Sequence, residues 1–214
     1  MVGILFDLDG TLLDSLGDLT DSVNYALSVH GYPSHTLQEI RSFVGNGVAK
    51  LIQKSVPQGA DFEPVLQTYL PYYAAHNQIK TAPYTGIVQA LETVKSKYPV
   101  AVVSNKQDAA VKPMCAQWFG DVYALGEVAG CPRKPAPDML YKAMEAIGVD
   151  RCVYVGDSEV DVVTAANTNV PCVSVTWGFR NREELAESGA VYFCDDPLRL
   201  PEIIDKVVEE YYGK

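Results

Sequence analysis

Long apolar runs are missing from this chain. Its longest apolar stretches are strand-sized, far short of the ~20 residues a membrane helix needs, so no membrane partner is expected. The amino terminus shows no basic region, apolar stretch and cleavage site in succession, which argues against a secretory signal and for a cytoplasmic protein. Basic charge is scarce as well. Lys plus Arg number 17 and Asp plus Glu number 27, a formal net charge of −10. Such a balance, with no Lys/Arg run, is a poor match for a nucleic acid backbone. Cysteine is thin and scattered: Cys115, Cys131, Cys152, Cys172 and Cys194 are odd in number and form no C-x-x-C pair. They read as reduced thiols serving as small apolar filler. No repeat and no low-complexity tract is present.

What remains is an apolar content of 48% over 214 residues, ample for a sizeable core. Short, β-branched apolar runs fall at 2–6, 100–103, 122–125, 152–155, 172–175 and 191–193. Their residues are apolar at consecutive positions, as in parallel strands buried on both faces. Helical patterns separate the later runs, at 87–97, 108–118, 138–147, 160–167 and 198–212. Strands alternating with helices predict β-α-β units, hence a doubly wound (Rossmann-like) parallel α/β sheet covered by helices.

Residues 14–83 break that rhythm. Leu16, Leu19, Val23, Ala26 and Leu27 trace one face of a helix. Thr36 and Glu39 form a T-x-x-E capping box ahead of a second helix. A third follows Val48, and a fourth covers 62–77. The segment reads as an inserted all-helical domain, with 1–13 and 84–214 forming the sheet domain. Two linkers side by side, near residues 12–14 and 81–84, suit a hinge.

The residues that carry chemistry stand just after the strands. The first run ends in Asp7 and Asp9, whose side chains share one face because strand residues alternate. Two carboxylates so placed repel and are costly to bury unless a cation offsets them. Ser104, Asn105 and Lys106 come after the second run. Lys134 lies beyond the third, in "CPRKPAPD". "GDSEVD", with Asp157, Ser158 and Asp161, comes after the fourth. In an open parallel sheet these groups meet at the carboxyl ends of the strands. Oxygen ligands from Asp7, Asp9 and Asp157 suit Mg²⁺. Ser104, strand-end amides and Lys134 suit a phosphoryl group. One carboxylate can attack phosphorus and the other can shuttle a proton.

These four elements, "DLDGT", "VVSNK", "RKPAPD" and "GDSEVD", in this order and each after a strand, resemble the haloacid dehalogenase superfamily. The resemblance implies Asp7 as nucleophile and Asp9 as general acid/base. It implies Mg²⁺ on the side chains of Asp7 and Asp157 and on the backbone carbonyl of Asp9. Ser104, Asn105 and Lys134 would hold the phosphoryl group, with Thr11, Ser158 and Asp161 arranged around these residues. The dehalogenases of the superfamily lack the second aspartate, which is present here as Asp9. Its phosphonate-cleaving members need a Schiff-base lysine in the helical cap, where Lys50 and Lys54 read as solvated. Its sugar-phosphate mutases usually carry a Glu-Asp pair where this chain has Gly156-Asp157. The cap segment "RSFVGNGVAKLI" is similar to that of bacterial phosphoglycolate phosphatases. It offers Arg41, Gly45, Asn46 and Gly47 to a substrate carboxylate, against the alternative of an ordinary helix–helix turn.

The expectation is therefore a Mg²⁺-dependent phosphomonoester hydrolase, acting on a small phosphorylated metabolite as monomer or homodimer. Phosphoglycolate leads as substrate. A pyrophosphatase, a sugar- or nucleoside-monophosphate phosphatase and a phosphosugar mutase are the alternatives. The rival of another class is a non-catalytic phosphate sensor resembling a receiver domain, which is shorter and carries its phospho-acceptor later in the chain.

Overall fold

The computed structural model describes residues 1–213. The order of elements is β1 (Val2–Phe6), β2 (Leu13–Asp14), α1 (Leu16–Val29), α2 (Leu37–Phe43), α3 (Val48–Ser55), α4 (Glu63–His76) and β3 (Ala82–Pro83). Then come α5 (Ile87–Lys95), β4 (Val100–Gln107), α6 (Asp108–Phe119), β5 (Tyr123–Glu127), α7 (Asp138–Ala146) and β6 (Arg151–Gly156). The chain closes with α8 (Glu159–Thr168), β7 (Cys172–Val175), α9 (Arg182–Glu187), β8 (Tyr192–Cys194) and α10 (Leu200–Tyr212). It divides into two compact units, Asp14–Ala82 on one side and Met1–Leu13 with Pro83–Lys214 on the other.

The larger unit is a six-stranded sheet in the order β5-β4-β1-β6-β7-β8, with every neighbouring pair parallel. Alternation sorts its side chains onto two faces. Ile4 and Phe6 of β1, Val100 and Val102 of β4, and Val153 and Val155 of β6 join one core cluster with Leu91, Met114 and Ile204. Leu5, Ala101, Val103, Cys152 and Tyr154 join the other, with Met139, Leu140 and Ala165. Both faces are thus buried, and the strands are apolar at consecutive positions for that reason.

After β1 the chain builds outward through β4 and β5, then crosses back to β6 and builds the other way through β7 and β8. The connections leaving β1 and β6 run in opposite directions. Such a switch point opens a crevice at the carboxyl ends of the two strands. Asp7 follows β1 and Asp157 follows β6, so the sheet topology delivers both carboxylates to that crevice.

β4 runs four residues beyond the apolar stretch that announces it, because Gln107 still pairs with Glu127 after a register shift. Ser104, Asn105 and Lys106 therefore lie on the strand itself. Helix α9 is an addition to the sequence reading. Its segment REELAE buries only Leu185 and so shows no apolar stripe. The capping box of Asn181 with Glu184 is the signal that marks it.

The smaller unit is helical. Leu19, Val23 and Leu27 of α1 are buried, as are Ile40, Ile52, Val65 and Tyr69 from the other three helices. The box of Thr36 with Glu39 caps α2. Asp18 is almost fully buried. Its carboxylate accepts from the backbone N–H groups of Ile79, Lys80 and Thr81 and from Thr81 Oγ1, at 2.7–3.1 Å. One charge thereby satisfies three otherwise orphaned donors and ties the end of the unit to its first helix. None of the five cysteines forms a disulfide. Among the described residues no helix is long and apolar enough to cross a membrane.

Candidate active site

The turn after β1 is tight. The Leu8 carbonyl accepts from the N–H groups of Thr11, Leu12 and Leu13. Gly10 has φ +87°, a region that a residue with a Cβ rarely enters. This turn brings Thr11 back over the β6 side of the crevice, where its hydroxyl donates to Asp157 Oδ1 at 2.8 Å. The other oxygen of Asp157 accepts from the Phe179 N–H at 2.7 Å. Phe179 belongs to the segment after β7, which is anchored by Trp177 Nε1 donating to the Thr11 carbonyl at 3.0 Å. Gly178 sits between these contacts. A Cβ there would lie 2.4 Å from Asp157 Cβ and 2.3 Å from the Gly10 carbonyl oxygen. The "WGF" segment is thus a clamp on Asp157, a role that a backbone N–H plays without any mark in the sequence.

Lys134 enters from the loop after β5, its side chain 2% exposed. Its ammonium lies 2.8 Å from Asp7 Oδ1 as an ion pair. It also lies 2.8 Å from Asp161 Oδ1 and donates to the Tyr154 hydroxyl at 2.8 Å. Asn105 Nδ2 donates to the Lys134 carbonyl at 2.9 Å, holding this loop against β4. Asp161 is the hub beneath. Oδ1 accepts from Lys134 and from Tyr154, and Oδ2 accepts from Ser158 Oγ and the N–H groups of Ser158 and Asp157. Ser158 and Asp161 are also the capping box of α8, so the start of that helix and the site are built from the same residues. Ser104 is buried and accepts from the Lys106 N–H at 3.3 Å.

The electrostatics follow from burial. Desolvation pushes the Asp7 carboxyl up from its ordinary 3.8 to about 7, against the pull of Lys134 and with added repulsion from Asp161 and Asp9. Burial likewise pushes Asp157 well above the carboxylate range, with repulsion from Asp161 and Asp7. Burial also opposes charge on Asp161, but Lys134, Ser158 and Tyr154 outweigh it and hold that carboxyl below its ordinary value. For Lys134, the two aspartates overcome desolvation and keep the ammonium charged.

Asp7, Asp157 and Asp161 each offer a carboxylate oxygen, and these atoms lie within 4.8 Å of one another. Asp161 accepts two donors on one oxygen and three on the other, which leaves no lone pair for a cation, whereas each Asp157 oxygen accepts one donor, so the carboxylates with room for a cation are Asp7 and Asp157. The donor set is all oxygen, and the buried Asp7 carboxylate has only an ammonium that it shares with Asp161 to offset its charge. These features fit a hard divalent cation. Asp9 differs. Its side chain turns to Lys106, whose Nζ lies 2.9 and 3.0 Å from its two oxygens.

The site expectations thus divide between the units. The sheet unit gathers Asp7, Asp9, Thr11, Ser104, Asn105, Lys134, Asp157, Ser158 and Asp161 around its crevice. Arg41, Gly45, Asn46 and Gly47 belong to the helical unit, at the join of α2 and α3. Gly45 and Gly47 there have φ of +125° and +79°, and Gly47 is the residue before the first turn of α3. Tyr154, Phe179 and Lys106 are site members that the sequence reading did not assign.

Residues 4–175 match the family described as haloacid dehalogenase-like hydrolase. The chain belongs to the haloacid dehalogenase-like hydrolases. Within them, a phosphoglycolate phosphatase of Cereibacter sphaeroides is 34% identical over 85% of this chain and 88% of its own length. One from Pseudomonas fluorescens is 29% identical over 96% of this chain and 81% of its own length. A crystal structure from Lactobacillus delbrueckii subsp. bulgaricus superposes with a TM-score of 0.89 at 36% identity, covering 94% of this chain and 97% of that one. A predicted phosphoglycolate phosphatase from Haemophilus somnus gives a TM-score of 0.84 at 27% identity, covering 94% and 96%. The family carries the hydrolase reading, and the crevice holds the groups that such chemistry needs.

Proposed function

We propose that this hydrolase is a Mg²⁺-dependent phosphomonoesterase that works through an aspartyl-phosphate on Asp7, with phosphoglycolate as its substrate. The observation that carries the reading is a charge imbalance. Four carboxylates, Asp7, Asp9, Asp157 and Asp161, face two ammonium groups, Lys106 and Lys134. With all four ionised the excess would be two negative charges in a buried crevice, which one divalent cation would offset; without it, burial pushes Asp7 and Asp157 toward their neutral forms. Asp7 and Asp157 with the Asp9 carbonyl would hold Mg²⁺, which when bound neutralises charge on the phosphoryl oxygens and on these carboxylates.

The chain's own groups then divide the work. Lys134 and the Ser104 hydroxyl, with the Asn105 amide, hold the phosphoryl oxygens and orient phosphorus toward Asp7. An Asp7 carboxylate oxygen forms a bond to phosphorus as the bond to the ester oxygen breaks, and Asp9 gives its proton to that departing oxygen. In the second half Asp9 takes a proton from water as that water's oxygen bonds to phosphorus. The Asp7–phosphate bond breaks, releasing inorganic phosphate and regenerating both carboxyl groups. Asp161 serves by fixing Lys134, and Thr11 with the Phe179 N–H serves by fixing Asp157. Phosphoglycolate adds a carboxylate, and Arg41 with residues 45–47 of the helical unit are the groups proposed for it.

The test is a panel of phosphoglycolate, pyrophosphate, a hexose phosphate and a nucleoside monophosphate assayed with Mg²⁺. Phosphoglycolate should give the highest kcat/KM, and Asp7→Asn should remove turnover while the protein stays folded. Activity retained in Asp7→Asn would refute the nucleophile, and a better substrate elsewhere in the panel would replace phosphoglycolate.

A further inference from the structure

We infer that Lys106 is a positioning residue for Asp9, fixing the carboxylate that the proposed reaction uses to deliver a proton to the departing oxygen. The inference rests on the phosphatase reading above. Its ground is geometric. The Lys106 ammonium lies 2.9 Å from one Asp9 oxygen and 3.0 Å from the other. The two side chains are only 6% and 13% exposed. A contact spanning both oxygens fixes the plane of the carboxylate as well as its place, and the surrounding burial spares it the screening that weakens exposed pairs.

The partners on neighbouring elements sharpen the point. Asp7 is held by Lys134 from the β5–α7 loop, and Asp157 by Thr11 and the Phe179 N–H. For the Asp9 side chain, the charged partner is Lys106 on β4. A short aspartate rotates freely about two bonds, and a general acid must stay within hydrogen-bond reach of its target to act. The strand supplies the rigidity. Lys106 follows Ser104 by two residues on β4, so the element that presents a hydroxyl to the phosphoryl group also aims the acid. Small displacements of such groups cost large factors in rate.

A positioning role makes a prediction that general destabilisation does not. An alkyl phosphate has a poor leaving group that needs the proton, whereas p-nitrophenyl phosphate releases a phenolate that does not. The specificity constant kcat/KM covers the steps through departure of the leaving group. For Lys106→Met, kcat/KM should fall about 10- to 100-fold for phosphoglycolate, at or below the low end of the ~10²–10⁴-fold that general acid catalysis supplies, as for an acid misaimed rather than removed. The fall for p-nitrophenyl phosphate should stay within about threefold, since that ester does not need the acid. Lys106→Arg, with a fork that can still span both oxygens, should restore most of the difference. A crystal structure of Lys106→Met should show the Asp9 carboxylate rotated or in two conformers. Equal losses on the two esters, or an unmoved Asp9, would overturn the inference while leaving the phosphatase reading in place. If Lys106→Met does not fold, the comparison is made with Lys106→Gln, with the same outcomes deciding. A wild-type protein that hydrolyses neither ester would overturn the phosphatase reading and this inference with it.

Discussion

Replacing Asp161 by Asn tests whether the site is held by a buried charge or merely by shape. Asp161 is fully buried and accepts from five donors. Asparagine keeps the volume but swaps one oxygen for an NH₂ group. On the Oδ2 side that group would meet two backbone N–H donors, which cannot turn away. It must therefore face the Oδ1 side, where the Tyr154 hydroxyl can rotate to accept but the Lys134 ammonium cannot. Asp7 is then the one carboxylate left to Lys134, beside the neutral Tyr154 hydroxyl. Breaking a buried pair costs about 3–5 kcal/mol. The surviving Asp7 contact and the relief of repulsion on Asp7 and Asp157 place the expected loss near the lower end, about 3 kcal/mol. Urea unfolding of metal-free protein at neutral pH, followed by tryptophan fluorescence, reads it directly. Both tryptophans, Trp118 and Trp177, lie in the sheet unit, so the signal reports that unit. A midpoint shift at unchanged slope is the expected form. Tyr154→Phe is the companion, losing one hydroxyl worth about 1 kcal/mol. A loss below about 1 kcal/mol for Asp161→Asn, or one matched by Tyr154→Phe, would refute the view that charge on Asp161 carries Lys134.

Two further outcomes are expected. Burial raises the Asp7 carboxyl from 3.8 to about 7 in the folded, metal-free chain. Its contribution to stability is present below the unfolded value and is lost as pH rises through about 7. Metal-free protein should therefore melt lower at about pH 8.5 than at about pH 5.5, Mg²⁺ should narrow the gap, and Asp7→Asn should reduce it, with Asp157, also raised by burial, sustaining the remainder; a wild-type melting point that rises across this window would contradict the burial argument. In the helical unit, Asp18→Asn turns an NH₂ toward N–H donors, so hydrogen exchange at Ile79, Lys80 and Thr81 should speed up by the equivalent of about 2–3 kcal/mol; unchanged exchange would show that their protection does not come from Asp18.

The sheet was legible because a doubly covered parallel strand must be apolar at every position, as 2–6 and 152–155 are. The same rule hid the end of β4, where Ser104, Asn105 and Lys106 interrupt the apolar run while the strand continues to Gln107, which pairs with Glu127 on β5. Helix α9 was hidden because a short surface helix needs almost no apolar face, and only Asn181 with Glu184 marks it. The aspartates of the site could be found from their place after strands. Their supports could not be found that way. The Phe179 N–H is common to every residue type but proline, Tyr154 reads as core filler, and Lys106 differs from any solvated lysine only by what the fold sets beside it.

Those supports make Asp7 and Asp9 unequal. Both come after one strand, two residues apart, and alternation alone would treat them alike. Asp7 shares its ammonium with Asp161, a carboxyl that five donors keep charged, and so Lys134 compensates Asp7 only in part. Burial then prevails, and the metal-free Asp7 carboxyl is pushed to about 7. Asp9 has the Lys106 ammonium across both its oxygens. A nucleophile must be ionised to attack, whereas a proton shuttle must above all be aimed. The under-compensated carboxylate is the one whose charge a divalent cation would restore, and the forked contact belongs to the one whose direction matters. The division of labour proposed for the two aspartates would therefore follow from which lysine each meets, and not from their order in the chain.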